Sequence, residues 1–126
     1  MGHPVAHWQI VARNPDRAAE FYKAVFGWAV DAGNSMGYRE VDTRSSTGVN
    51  GGIWPAPPEG QPMVTLYVEV DDVAGQVKRA VDHGAKVVMP HQKLPDGDEM
   101  AVIIDPEGIP FGLMRRAGKR TEGRSR

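Results

Sequence analysis

The feature that most restricts how this chain can fold is a sequence of local patterns that occurs twice. Val5 to Ala12 alternates and is rich in bulky side chains, as a strand requires. Asn14-Pro15-Asp16 follows as a helix start, with a side chain able to cap free backbone N–H groups and a proline whose missing N–H costs nothing in the first turn. Arg17 to Phe26 carries Ala18, Phe21, Tyr22, Val25 and Phe26 at helical spacing, and Gly27 ends it. Three short strands are expected next, at Trp28 to Val30, Tyr38 to Val41 and Val49 to Trp54, separated by Gly, Asn and Ser turns.

After a proline-rich linker over 55–62 the order returns, offset by about 57 or 58 residues. Val64 to Val70 alternates, Asp71-Asp72 offers a cap, and Val73 to His83 is a helix stopped by Gly84. Strands are expected at Lys86 to Met89, Met100 to Ile104 and Pro110 to Met114, with a loop around Pro90, Pro95, Asp96 and Gly97 and a turn at Asp105-Pro106-Glu107-Gly108. A half of roughly 55 residues buries too little surface to be comfortable alone, so the two halves are expected to share one domain. One helix per module excludes a doubly wound parallel sheet and points to an α+β layout, with helices on one sheet face only.

Composition removes several function classes. The chain has no cysteine, which excludes disulfides, thiolate metal sites and cysteine nucleophiles. Any metal would need His, Asp or Glu, and the histidines are His3, His7, His83 and His91. No run approaches about 18 apolar residues, and Met1-Gly2-His3-Pro4 lacks the blocks of a signal peptide, so a cytoplasmic protein without membrane association is expected. The net charge of −1 hides an asymmetry: Arg115 to Arg126 holds six Lys or Arg and only Glu122 as an acid, leaving −6 on residues 1–114. Residues 116–126 are expected to form a flexible basic tail that aids solubility, with no nucleic-acid partner.

The string from His7-Trp8-Gln9-Ile10-Val11 through Asn14-Pro15-Asp16-Arg17-Ala18-Ala19-Glu20-Phe21-Tyr22 to Gly27-Trp28 resembles the opening of the vicinal oxygen chelate superfamily. That superfamily includes glyoxalase I, bleomycin-resistance proteins, fosfomycin-resistance enzymes and extradiol dioxygenases. Val68-Glu69-Val70-Asp71-Asp72-Val73 and Asp105-Pro106-Glu107-Gly108 extend the resemblance, and Gly51-Gly52-Ile53-Trp54-Pro55 is similar to a segment of its glyoxalase-related predicted-enzyme branch. The resemblance spans residues 5–115. It implies a single domain built from two βαβββ modules, 5–57 and 63–115, with a curved mixed sheet around a small-molecule cavity.

Metal-dependent members of the superfamily use four strand residues, usually His and Glu. Carried over residue by residue, His7 stands at the first position and Thr65 at the second. The usual Glu falls on Gly112, and the remaining position lies near Gly51, Gly52 and Ile53, where there is no carboxylate. An open catalytic site holds a divalent ion with about three protein donors, so neither a metal nor another cofactor is expected.

Strand alternation places His7, Gln9 and Val11 on one face of the first strand and Trp8, Ile10 and Ala12 on the helix side, with Trp8 expected against Phe21 and Val25. In the fifth strand Thr65, Tyr67 and Glu69 are expected toward the cavity and Leu66, Val68 and Val70 toward the helix; in the last, Gly112 and Met114 face inward. Gly112 is expected to widen the pocket, and Trp54 to form either its rim or an interface or hinge anchor. His7 is either a cavity-wall histidine or an acid–base group, and Glu69 is the other acid–base candidate. These residues suit a protein that binds a small, partly apolar organic ligand without metal, as a homodimer resembling the bleomycin-binding members. The alternative is an enzyme of divergent chemistry, a lyase, isomerase or dioxygenase-like protein using His7 or Glu69, with or without metal assistance.

Overall fold

The computed structural model describes residues 2–32 and 37–117. Among them the element order is β1 (Val5–Ala12), α1 (Pro15–Phe26), β2 (Ala29–Asp31), β3 (Arg39–Asp42), β4 (Gly51–Pro55), β5 (Met63–Glu69), α2 (Val73–Asp82), β6 (Lys86–Lys93), β7 (Glu99–Ile104) and β8 (Pro110–Arg115). This is βαβββ twice, the α+β arrangement expected from the repeat. The contacts divide the chain into two compact units, Ala6–Leu66 and Met1–Val5 with Tyr67–Arg126. The division falls inside β5, so Thr65 belongs to the amino-terminal unit and Tyr67 and Glu69 to the carboxy-terminal one.

In the amino-terminal unit β2 pairs with β3 and β3 with β4, both antiparallel, while β4 runs parallel to β1. A parallel partner requires a long crossover, and the segment containing α1, β2 and β3 supplies it. Asn14 caps α1 by accepting from the Arg17 N–H at 3.1 Å, Pro15 opens the helix, and Gly27 closes it with φ of 74°. The core comprises Ala19, Val41 and Ile53, with Trp8, Ile10, Ala12, Tyr22, Trp28 and Val30 packed around them.

Trp8 thus faces the helix side as alternation requires, but its partners are not those expected. Phe21 and Val25 are 57% and 54% exposed, and the Trp8 ring instead meets Trp28 at 5.2 Å between centroids. The turn of the helix nearest the sheet carries Ala19 and Tyr22. Because each residue advances about 100° around a helix, a stripe holding Ala19 and Tyr22 turns Phe21 and Val25 outward. An exposed ion pair lies at the edge of the same contact, where Arg39 of β3 donates to Asp16 of α1 at 2.8 Å.

In the carboxy-terminal unit β8 lies beside β5, β7 beside β8, and β6 beside β7. Asp72 caps α2 by accepting from the Gly75 N–H at 3.0 Å. Val70, Val73, Ala101, Ile103 and Leu113 form the core, with Val68, Val77, Ala80, Ala85 and Phe111 packed on it. Val68 and Val70 turn to this core as expected, whereas Leu66 is 42% exposed. β6 continues through Pro90 to Lys93, where the sequence suggests a loop. It pairs on one side, with β7, and its register shifts between Val87 and Met89 and between Met89 and Gln92. Irregular strands of this kind tolerate a proline that donates no hydrogen bond.

The start of the expected basic tail is anchored. Arg116 donates to both carboxylate oxygens of Glu69, at 2.7 and 3.3 Å, and the Ala117 N–H donates to Asp98 at 2.7 Å. Residues 118–126 lie outside the described residues. Nearby, Glu99 accepts from His91 Nε2 at 2.6 Å and from Arg115 at 3.2 Å. The His91 hydrogen bond is the main cause holding the Glu99 carboxyl below its ordinary 4.5, with Arg115 assisting and burial opposing. No helix among the described residues is long and apolar enough to cross a membrane.

Two outcomes follow from this packing. Ile53, fully buried, leaves a cavity when truncated, so Ile53→Ala should lower unfolding free energy by about 2–5 kcal/mol in urea titrations. A depressed carboxyl pKa contributes stability that is present above the unfolded value and lost as pH falls through the folded one. The stability difference between the native chain and Glu99→Gln should therefore be present near neutrality and close as pH drops below the ordinary 4.5 of a free carboxyl. A difference that persists undiminished in acid would contradict the role given to that carboxylate.

Candidate functional site

The register of the amino-terminal unit decides which side chains meet on the sheet face opposite its core. Gln9 pairs with Gly52 and Val11 with Trp54 across β1 and β4, and Glu40 pairs with Gly52 across β3 and β4. Paired residues share a face and alternation carries it along each strand, so His7, Gln9, Trp54 and Glu40 stand together, with Tyr38 just before β3.

Tyr38 connects this group. Its hydroxyl lies 2.8 Å from His7 Nε2, and its ring is tilted on Trp54 with centroids 4.9 Å apart. Reaching His7 from the far side of β4 requires the ring to cross that strand. Gly52 permits it: a Cβ placed there would collide with the Tyr38 hydroxyl and ring. Gly51 plays the corresponding part on the core face, where the Trp8 indole occupies the space a side chain would take. The indole N–H of Trp8 donates to the Val49 carbonyl at 2.6 Å.

The sequence singles out His7, Gln9 and Trp54, and the structure groups them on one face. It does not single out Tyr38. That residue lies 31 positions from His7, and only the order β3-β4-β1 brings the two together. The one signal available was the pair Gly51-Gly52 inside a strand, which marks close approach by another group.

The remaining expected residues are distributed differently. Thr65 is buried, as is Tyr67 at 4% exposure. Gly112 does not widen a pocket, because the Tyr67 ring fills the position that its Cβ would take. Glycine there accommodates an aromatic neighbour instead of a ligand. Met114, two residues further along β8, is partly buried and pairs with Met100. Glu69 is engaged by the guanidinium fork of Arg116, whose own pKa that hydrogen bond raises. Both carboxylate oxygens of Glu69 are thus engaged by Arg116. Of the other histidines, His83 Nδ1–H donates to the Arg79 carbonyl at 2.9 Å and closes a helix, and His91 is paired with Glu99. The Ser45 and Thr47 hydroxyls bond to each other, and the Ser45 hydroxyl also accepts from the Thr47 N–H, as turn hydroxyls do.

The residues present do not suit the superfamily's metal. His7 directs Nε2 at a phenol, the place of the usual Glu is a glycine covered by Tyr67, and Gly52 is covered by Tyr38. Among the described residues no three His, Cys, Asp or Glu gather as ligands. A cavity of about 260 Å³ lies in the carboxy-terminal unit, lined by Lys93, Gly97, Glu99, Arg115, Arg116 and Ala117. None of the expected site residues lines it.

With this geometry established, comparison with known proteins places the chain. Residues 8–114 match the family model described as a glyoxalase-like domain. CFP32 of Mycobacterium tuberculosis, an inferred glyoxylase, is 26% identical over an alignment of 113 residues that covers 86% of this chain. The same protein in Mycobacterium bovis matches equally. The chain spans only 42% of the length of these relatives. Among solved structures, methylmalonyl-CoA epimerase of Streptomyces coelicolor, in complex with 2-nitronate-propionyl-CoA, superposes with a TM-score of 0.63 at 18% identity, covering 92% of this chain and 96% of that one. The epimerase of Mycobacterium tuberculosis gives 0.63 at 19% identity, covering 93% and 90%. At such identities the structural likeness concerns the fold alone. The family match extends over nearly the whole described chain, and the protein is a member of the glyoxalase-like domain family.

Proposed function

We propose that this chain binds a small organic molecule on the sheet face that carries His7, Gln9, Tyr38 and Trp54, without the superfamily's metal. The observation that supports this most is the His7–Tyr38 hydrogen bond beside Trp54. It joins an aromatic platform to a small set of polar groups, the usual make-up of an organic ligand site. The ligand's flat or apolar part would rest on Trp54, while Gln9 and the His7–Tyr38 pair supply orienting hydrogen bonds. Thr65, in the same unit, is packed and shapes its strand, while any ligand contact by Tyr67, Gly112 or Met114 is a separate part of the proposal that concerns the carboxy-terminal unit alone. We place the protein in the cytoplasm as a homodimer.

A second reading follows from the same hydrogen bond. An imidazole in contact with a phenol is a competent proton-transfer pair. In this reading the chain is an enzyme of lyase, isomerase or dioxygenase-like type with His7 as acid–base group. Glu69 is the weaker candidate because Arg116 holds it.

Amide and imidazole NMR shifts should report the binding. Titration with a panel of small aldehydes, thiol conjugates and aromatic antibiotics should perturb signals of His7, Gln9, Tyr38 and Trp54 together. His7→Ala should weaken a hit about tenfold, the worth of one well-made hydrogen bond. Hits that perturb only other residues would refute the assignment. A compound consumed over time by the native chain but not by His7→Ala would select the enzyme reading. Elemental analysis after dialysis should find less than one equivalent of nickel, zinc or iron; a retained stoichiometric metal would overturn the metal-free part of the proposal.

A further inference from the structure

We infer that Tyr38 is the positioning residue of this site: it donates its phenol proton to His7 Nε2, fixing the imidazole as the Nδ1–H tautomer, and Gly52 is glycine so that it can. The inference deepens the proposed function, because it concerns the same face.

The direction of the bond follows from the two groups. Phenol is the better proton donor of the pair, and the unprotonated imidazole nitrogen is the better acceptor. At 2.8 Å between Tyr38 Oη and His7 Nε2, the bond is well made in this sense, with the single ring proton on Nδ1. The Tyr38 ring is restrained twice, by the tilted contact with Trp54 at 4.9 Å and by its seat over Gly52. A side chain held by packing on one side and a bare strand on the other loses little freedom in making the hydrogen bond, so it can impose its geometry on a neighbour. One consequence bears on the chemistry: a proton reaching His7 at Nε2 must come through the Tyr38 hydroxyl, so Tyr38 is the group that the pair presents there.

The test uses the full chain, ¹⁵N-labelled, and long-range ¹H–¹⁵N spectra of its imidazoles at about pH 8.5, where a free imidazole is neutral and a phenol is protonated. His7 should show Nε2 in the unprotonated, pyridine-like range and Nδ1 in the protonated, pyrrole-like range. Tyr38→Phe keeps the ring and removes the hydroxyl; it should move His7 Nε2 toward the protonated range, while His83, whose Nδ1 faces the Arg79 carbonyl, stays unchanged. Gly52→Ala should give the same His7 shift by displacing the ring, with far-UV circular dichroism showing the fold retained. A native His7 protonated at Nε2, or a Tyr38→Phe spectrum identical to the native one, would overturn the inference. Because no ligand is used, the result is independent of the ligand screen: an empty screen with this signature intact removes the binding proposal and leaves the role of Tyr38 standing.

Discussion

Two neighbouring glycines in the middle of β4 leave both faces of that strand bare, and the amino-terminal unit is arranged around what covers them. Trp8 lies on Gly51 and Tyr38 on Gly52. Successive residues of a strand face opposite ways, so one aromatic ring ends in the core and the other on the site face. The first ring joins Trp28, Tyr22 and Ile53 in the packing beneath α1. The second reaches across to His7. A side chain at Gly51 would push the Trp8 indole out of the core, and one at Gly52 would displace the Tyr38 ring from His7, so a single dipeptide serves both the core and the candidate site.

The carboxy-terminal unit uses the same device once. Gly112 of β8 is covered by the ring of Tyr67 from β5, and any side chain placed there would require that ring to move. Hydrogen-bond donors of this unit serve structure in a comparable way: Arg116 fastens the last described residues to Glu69, and Arg115 and His91 converge on Glu99. Bidentate and shared hydrogen bonds of this kind favour the ionised carboxylate.

The fold was largely legible in advance because its signals are local. Caps at Asn14 and Asp72, the stop at Gly27 and strand alternation each depend on a few adjacent residues, and their order repeats. The departures arose where a partner decides the outcome. Phe21 and Val25 have helical spacing that fits a buried stripe, but the small Ala19 let the helix seat itself on a neighbouring stripe, and both face outward. Pro90 suggested a loop, yet a strand paired on one side admits it. Glu69 had the composition of a general base until an arginine from the expected tail was found to grip it.

By itself, the sequence determined the two βαβββ modules, the absence of thiol chemistry, the membership that the family match bears out, and the face on which His7, Gln9 and Trp54 stand. Those are matters of period, capping and composition, which need no knowledge of distant neighbours. Only the tertiary structure decided that Tyr38 completes that group, that Tyr67 occupies the space left by Gly112, and that Arg116 rather than a ligand holds Glu69. Each of these joins residues at least 31 positions apart or from different strands. Such contacts are set by strand order and register, and a register is fixed only when whole sheet faces are packed against their helices.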